Sequence, residues 1–273
     1  MRRTGMQLGN RVAVVTGAGG GIGRAIALSL ARRSCHLALC DIDAAAAAAT
    51  ARAARALGVR SSVHQIDVAN RASVRALPAA VGLVHGRIDL LINNAGVALG
   101  GSFEQVAEDD FDWLMDVNFN AVVRMTRAFL PLLRESDEAR IVNLSSIYGI
   151  VAPPGQCAYA ASKFAVRGFS NALRHELEGQ VGVTVVHPGG VATGIARNAR
   201  APLDAPRHEI ERGRAAAQRL LRLDPAVAGE AIVRGIERRQ ARVLVGGDAK
   251  FVALLERLSP VNYWSTLKKL TLR

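Results

Sequence analysis

A tyrosine and a lysine four residues apart, Tyr159 and Lys163, form the pair in this sequence best suited to proton transfer. They lie in an alanine-rich stretch with no proline after Pro154, so we expect a helix that carries both side chains on one face. A nearby ammonium group favours the phenolate, which predicts that Lys163 lowers the pKa of Tyr159 and lets it exchange a proton with a substrate oxygen. An ordinary surface pair is the alternative interpretation.

Two serines follow a strand that the sequence predicts over residues 141–144, shortly before this helix. The hydroxyl of Ser145 or Ser146 could hydrogen-bond the same substrate oxygen as the phenol. An amide side chain, Asn118, lies within a long apolar helical pattern over residues 104–134. Asparagine is a poor helix former, so Asn118 marks either a structural kink or an amide placed for function.

A glycine-rich segment near the start of the sequence has the context of a nucleotide-binding loop. It follows a strand predicted over residues 11–16 and precedes a helix predicted over residues 24–33. Glycines there allow close approach of the backbone, and the helix N-terminus offers free amides to a pyrophosphate. The segment comprises Gly17, Ala18, Gly19, Gly20, Gly21, Ile22 and Gly23.

Asp41 follows the second predicted strand, residues 37–40, about 20 residues after the glycine-rich segment, where dinucleotide-binding folds carry an acidic residue. Its carboxylate could accept hydrogen bonds from the adenosine ribose and would repel a 2′-phosphate. Neither Gly20 nor Ile42 supplies a basic group for that phosphate. The sequence therefore favours NAD over NADP, with a plain polar strand end as the alternative interpretation.

Strands and helices alternate along the chain, which predicts an α/β fold of the Rossmann type, a doubly wound parallel sheet with helices on both faces. Further strands are predicted over residues 63–66, 88–92, 183–186 and 242–245, and further helices over residues 44–57 and 73–85. We expect Pro78 to break or begin the second of these helices. Asp67 and Asn94 follow two strands and would lie at the carboxyl edge of the sheet, where open α/β folds bind ligands.

The composition limits the class of protein. The 273 residues suit one large α/β domain or two small ones, and no apolar run reaches the roughly 18 residues of a membrane span. The first residues lack a secretory signal, and Cys35, Cys40 and Cys157 lack metal-ligand spacing, so we expect reduced thiols in a cytoplasmic protein without a metal. The net charge of +12 comes from scattered arginines, so nucleic-acid binding is not expected.

In order and spacing, these motifs resemble those of the classical short-chain dehydrogenase/reductase family. The matches extend over residues 16–193, about two thirds of the chain. They are residues 16–23 for the TGxxxGIG pattern, 93–96 for NNAG, Asn118 for the helix asparagine, Ser146, Tyr159 and Lys163 for the serine and YxxxK, and 188–193 for PGxVxT. The resemblance implies a single Rossmann-fold domain over residues 1–273 that forms a homodimer or homotetramer through its long helices.

The resemblance also implies a role for each matching residue. Tyr159 would be the general acid or base on the substrate oxygen, and Lys163 would lower its pKa and hold the nicotinamide ribose. Ser146 would position the substrate in preference to Ser145, because it has the family's usual separation from Tyr159 and because adjacent strand residues face opposite sides. Asn118 would hold a water that extends the proton relay.

The implied cofactor is NAD. The glycine-rich segment would bind its pyrophosphate and Asp41 its adenosine ribose. The other implied contacts are Asp67 and Val68 near the adenine, Asn94 on the floor of the cleft, Tyr159 and Lys163 at the nicotinamide ribose, and Val191 and Thr193 at the nicotinamide amide. The reaction would transfer a hydride to or from an apolar secondary alcohol or ketone. The alternative is a dinucleotide-binding regulator or scaffold of the same fold without turnover.

Residues 194–224 are predicted to form a small helical substrate lid, because family members use this region in that way. The lid contains seven arginines: Arg197, Arg200, Arg207, Arg212, Arg214, Arg219 and Arg222. They indicate either an anionic substrate or a solvated helix face.

Residues 246–273 are predicted to cap the protein. They carry an apolar helical stripe, Phe251, Leu254, Leu255 and Leu258, and then aromatic and basic residues beyond Pro260. Such an end would cover the substrate pocket or a subunit interface, with peripheral contact to a membrane surface as the less favoured alternative.

Overall fold

The computed structural model describes residues 5–202 and 204–271, without the side chains of residues 270 and 271. Residues 1–4 of the N-terminus, Leu203 of the predicted lid and residues 272–273 of the predicted cap lie outside the described part. The strands within it are β1 (Val12–Thr16), β2 (His36–Asp41), β3 (Ser61–Gln65), β4 (Leu90–Asn93), β5 (Ala139–Leu144), β6 (Val181–Pro188) and β7 (Arg242–Val245).

The helices alternate with these strands. Those described are α1 (Gly21–Ala31), α2 (Ala44–Arg55), α3 (Arg71–His85), α4 (Glu108–Met115), α5 (Ala121–Arg134), α6 (Cys157–Glu176), α7 (Arg207–Leu220), α8 (Pro225–Glu237), α9 (Gly247–Leu258) and α10 (Tyr263–Thr271). A π-helical segment, Asp116–Asn120, joins α4 to α5, and a short 3-10 turn, Ile147–Gly149, follows β5.

The seven strands form one parallel sheet in the order β3-β2-β1-β4-β5-β6-β7. Helices α1, α2 and α8 pack on one face, and α3, α5 and α6 pack on the other. Successive residues of β1 point to opposite faces, so Ala13 and Val15 enter the first layer of the core and Val14 enters the second. The predicted Rossmann-type, doubly wound parallel sheet is confirmed.

Two helix predictions were wrong in detail. Helix α3 continues through Pro78, because Val74, Leu77 and Val81 are buried against the sheet and this packing outweighs one missing backbone hydrogen bond. The helix predicted over residues 104–134 begins at Glu108 and is interrupted by the π-helical segment. The third strand begins two residues earlier than predicted, at Ser61.

The strand order creates a crevice at the carboxyl edge of the sheet. Strand β1 pairs with β2 on one side and with β4 on the other, so the chain leaves β1 and β4 in opposite directions across the sheet. Open α/β folds bind ligands at such a switch point. Within the residues that the structure describes, no helix is long and apolar enough to cross a membrane.

Candidate active site

The glycine-rich segment lies at this edge, between β1 and the first turn of α1. Gly17 has a φ of 65°, in the left-handed region. A Cβ on Gly23 would lie 2.0 Å from the carbonyl oxygen of Gly17, so only glycine lets α1 approach the loop so closely. Asp41, at the end of β2, accepts hydrogen bonds from the backbone N–H groups of Gly19 at 2.7 Å and Asp43 at 3.0 Å. The carboxylate therefore stands directly beside the loop.

Asn94 and Thr16 connect the end of β4 to the same loop. The amide nitrogen of Asn94 donates to the carbonyl oxygens of Thr16 at 2.9 Å and Gly17 at 3.1 Å. The Thr16 hydroxyl accepts in return from the backbone N–H groups of Asn94 at 2.9 Å and Ala95 at 3.0 Å. Thr16 was given no role of its own by the sequence; its only signal is its place as the first residue of the TGxxxGIG pattern.

The other predicted cofactor contacts lie along the same edge. Asp67 is exposed after β3, and Val68 beside it is buried. Val191 is buried after β6, and the methyl carbon of Thr193 lies 3.0 Å from the position of a Cβ on Gly21. The segment that follows β6 therefore meets the glycine-rich loop across the crevice.

Tyr159 lies in the first turn of α6 and faces the chain that leaves β5. Its phenol interacts with the side chain of Ser146, whose hydroxyl accepts a hydrogen bond from the backbone N–H of Tyr148 at 3.1 Å. The hydroxyl of Ser145 is engaged elsewhere, because it donates to the carbonyl oxygen of Lys163 at 2.8 Å. The ring of Tyr148 stands edge-on to that of Tyr159, with centroids 6.0 Å apart. The structure thus brings Tyr159 together with Ser146 and directs Ser145 away from it.

Lys163 lies one turn further along α6. Its Nζ is 5.6 Å from the centroid of the Tyr159 ring and donates to the carbonyl oxygen of Leu144 at 3.1 Å. Burial lowers the pKa of Lys163 to about 8. Burial raises the pKa of Tyr159 to about 12, and the interaction with Ser146 offsets only part of that rise. Desolvation of the phenolate is therefore the largest effect on the Tyr159 pKa, and it opposes the lowering that the sequence predicts from Lys163.

Asn118 is buried in the π-helical segment. Its Oδ1 accepts from the backbone N–H of Val97 at 2.8 Å, and its Nδ2 donates to the Val97 carbonyl at 3.0 Å and to the Ser162 hydroxyl at 3.2 Å. A Cβ on Gly96 would lie 3.2 Å from Asn118 Oδ1 and 3.4 Å from Lys163 Nζ. The amide and the ammonium group thus border one small space beside Gly96.

Two residues that the sequence did not indicate hold the turn that carries Ser146. His187, at the end of β6, is fully buried, and its Nδ1 lies 2.9 Å from the carbonyl oxygen of Ser146. Arg167 on α6 donates to the carbonyl oxygen of Gly149 at 3.1 Å. Burial lowers the pKa of His187 to about 4, so the ring is neutral at physiological pH. The only sequence signal for His187 is its position before Pro188.

The predicted lid is attached to the rim of the crevice by Arg200. The backbone of Arg200 pairs with that of Leu99 in an isolated β-bridge. Its guanidinium stacks 3.5 Å from the centroid of the Trp113 ring and forms an ion pair with Asp110 at 2.7 Å. Leu99 belongs to the apolar cluster against which Tyr159 packs, and this cluster joins the lid to the site. Of the seven lid arginines, only Arg214 is partly buried; it donates to the carbonyl oxygen of Ala199.

The predicted cap divides into two parts. Helix α10 packs on the segment that follows Ser146, because Tyr263 and Leu267 contact the cluster of Ile150 and Val151. The hydroxyl of Tyr263 also accepts a hydrogen bond from the backbone N–H of Ala152 at 3.1 Å. Helix α9 instead exposes most of its apolar stripe.

The residues at this edge fit a nicotinamide dinucleotide. The glycine-rich loop leaves open space at Gly20, where a Cβ would meet nothing within 4 Å, and a carboxylate stands beside it. At the other end of the crevice, the small space beside Gly96 is bordered by Lys163 and Asn118. Within the described ranges, no group of three or more histidine, cysteine or acidic residues could hold a metal ion.

Comparisons with known proteins agree with this arrangement. A family profile described as short chain dehydrogenase matches residues 11–204. An oxidoreductase from Mycobacterium tuberculosis named SadH is 43% identical over 256 residues, which cover 93% of this chain and 92% of the relative.

Two solved structures are also similar. A short-chain dehydrogenase/reductase from Burkholderia phymatum, in complex with NAD, superposes with a TM-score of 0.86 at 32% identity and covers 93% of this chain and 95% of its own. A metagenomic short-chain oxidoreductase in complex with NADP gives a TM-score of 0.71 at 29% identity, over 88% and 98% of the two chains.

Proposed function

Since the chain belongs to the classical short-chain dehydrogenase/reductase family, we propose that it is an NAD-dependent enzyme that interconverts a secondary alcohol and a ketone. The observation that carries this proposal is the meeting of three groups at the carboxyl edge of the sheet. The phenol of Tyr159 interacts with the side chain of Ser146, and the ammonium group of Lys163 lies 5.6 Å from the centroid of the phenol ring. The proposed substrate is apolar, because the segment that follows Ser146 is itself apolar and contains Ile150 and Val151.

In this proposal, Tyr159 exchanges a proton with the substrate oxygen and Ser146 hydrogen-bonds the same oxygen. The bound cofactor supplies the hydride acceptor or donor. Because burial raises the pKa of Tyr159 to about 12, the phenol is protonated at neutral pH and ready to donate in the direction of reduction. Lys163 holds the nicotinamide ribose, and Asn118 holds a water next to Lys163 that extends the path for the proton.

The preference for NAD rests on Asp41. Its carboxylate lies 2.7 Å from the backbone nitrogen of Gly19, inside the region where an adenosine ribose would bind, and a 2′-phosphate there would meet a negative charge. The neighbouring side chain, Ile42, is apolar and exposed. Similar proteins have been solved with NAD and with NADP, so the preference for NAD is proposed from Asp41 and not from these structures.

The wider arrangement extends the proposal. Helix α7 with residues 194–206 acts as the substrate lid of a single domain, and α10 caps the substrate end of the cleft. Most of the lid arginines face solvent, which favours a solvated helix face over an anionic substrate. The enzyme forms a homodimer or homotetramer through α5 and α6 and works in the cytoplasm.

The test is a steady-state assay of nicotinamide absorbance with NAD and NADP against alcohols and ketones graded by chain length, ring content and charge. Turnover should be highest with NAD and with an uncharged apolar substrate. Replacing Tyr159 by phenylalanine should abolish turnover and leave NADH affinity nearly unchanged. Tyr148→Phe is the matched control, because this phenol has no lysine one turn further on, and it should keep turnover.

Two results would overturn parts of the proposal. Preference for NADP would remove the role given to Asp41, and normal turnover by Tyr159→Phe would remove the assigned acid or base. Tight NADH binding without turnover of any substrate would favour the alternative function, a dinucleotide-binding regulator or scaffold of the same fold.

A further inference from the structure

Helix α9 exposes a row of large apolar side chains that the proposed catalytic function does not use. Phe251, Leu254 and Leu258 are 49%, 57% and 74% exposed, and Val261 just beyond the helix is 85% exposed. Their spacing of three and four residues places the helix members on one face. The opposite face of α9 packs against the rest of the protein, because Ala249 and Val252 are buried. We call these four exposed residues the α9 stripe.

Positive charge borders the α9 stripe. Lys250 and Arg257 lie on one flank of α9 and are exposed. Asp248, in the first turn of α9, accepts backbone hydrogen bonds from Gly190 at 2.7 Å and from Ala249 at 2.8 Å, and Glu256 faces the positive charge of Arg242. The flank that carries Lys250 and Arg257 is therefore basic, in a chain whose net charge is already +12.

The exposed apolar area is on the order of 500 Å², which is within the range in which a surface patch is often functional. A stable dimer commonly buries about 800 Å² on each partner. A second copy placed on the stripe would also bring the bordering cations of both copies together. The complementary partner is instead a large surface that is apolar inside and negatively charged outside.

We propose that the α9 stripe binds the surface of an anionic lipid membrane, with its apolar side chains inserted among the headgroups and its cations paired with lipid phosphates. Tyr263 and Leu267 of helix α10 do not take part, because they are packed on the cluster of Ile150 and Val151. The cap would therefore bring the substrate end of the cleft close to the lipid, which suits an apolar substrate. Membrane binding does not depend on turnover, so the two proposals can fail separately.

The experiment is co-flotation of the full chain with vesicles of phosphatidylcholine alone and of phosphatidylcholine mixed with phosphatidylglycerol. The natural protein should float with the anionic vesicles and remain unbound with the neutral ones. Leu254→Ser combined with Leu258→Ser should lower the binding constant by about tenfold or more. Lys250→Gln and Arg257→Gln should each lower it by about fivefold, and added salt should weaken binding.

Leu83→Ser is the matched control. Leu83 on α3 is 90% exposed but has no large apolar residue three or four positions away, so its replacement should leave vesicle binding unchanged. All variants change exposed side chains, and thermal unfolding would verify that they are folded.

Equal binding to neutral and anionic vesicles, no binding to either, or equal loss in the Leu83 control would overturn the proposal. A change from dimer to monomer in the stripe variant, with vesicle binding unaffected, would identify a second copy of the chain as the occupant.

Discussion

His187 offers the sharpest test of how the fold positions Ser146. Its Nδ1 lies 2.9 Å from the carbonyl oxygen of Ser146, and a carbonyl oxygen only accepts, so Nδ1 carries the proton. Its Nε2 is buried and has no hydrogen-bond partner among the described residues. The ring therefore acts through one donated hydrogen bond, and the backbone of Ser146 depends on it.

Replacing His187 by leucine removes the donor at similar side-chain volume and leaves a buried carbonyl unpaired. Such a loss costs about 1–3 kcal/mol, so the free energy of unfolding should fall by that amount. If about half of this loss reaches the transition state through a displaced Ser146, turnover should fall by about two- to tenfold, since about 1.4 kcal/mol is a factor of ten. His187→Asn retains a side-chain N–H near the position of Nδ1 and should recover most of the turnover.

The assay combines steady-state kinetics on the best substrate with thermal unfolding of each variant. The effect should lie in kcat rather than KM if Ser146 hydrogen-bonds the substrate oxygen mainly in the transition state, where charge develops on that oxygen. A leucine variant with natural kcat would refute the positioning role. So would an asparagine variant that is as impaired as the leucine variant at equal stability.

Three further predictions follow from the structure. Burial lowers the pKa of both His85 and His187 to about 4, whereas unfolded histidine titrates near about 6.5, so the unfolded chain binds more protons between these values. The contribution of these histidines to the free energy of unfolding should thus be fully present above about pH 6.5 and should be lost towards about pH 4, by up to about 3 kcal/mol for each histidine. Urea titrations across this pH range would measure it. Gly23→Ala should lower both stability and NADH affinity, measured by thermal unfolding and fluorescence titration, because the new Cβ would lie 2.0 Å from the carbonyl oxygen of Gly17. Phe129→Ala should cost about 3–5 kcal/mol in urea unfolding, because this ring is fully buried between α5 and the sheet.

The histidine and Gly23 predictions each have a control. Replacing His208, which is exposed on α7, should not alter the pH dependence of stability. Gly82→Ala lies within α3, where a Cβ would meet nothing within 4 Å, and should be neutral or stabilising. If Gly23→Ala lowers stability but leaves NADH affinity unchanged, the close approach of α1 is not needed for cofactor binding. A flat stability curve below neutral pH would contradict the buried, neutral histidines.

The sequence by itself determined the features that depend on local chemistry. Alternating strand and helix patterns predicted the doubly wound sheet, because burial on two faces imposes continuous apolar strands such as Val12–Thr16. The glycine-rich segment predicted a tight loop, because glycine adopts the φ at Gly17 without steric cost and only glycine permits the contact at Gly23. The spacing of Tyr159 and Lys163 predicted a shared helix face, because this depends only on helix geometry.

Tertiary structure alone decided the features that depend on distant parts of the chain. Pro78 stays within a helix because packing on the sheet compensates for the missing hydrogen bond. Asn118 lies in a π-helical segment and bonds Val97, which belongs to the loop after β4. The pKa of Tyr159 rises because the fold buries the phenol, and no spacing in the sequence reports burial. His187 meets Ser146 only when β6 lies beside β5, since residues far apart in sequence become partners through the sheet.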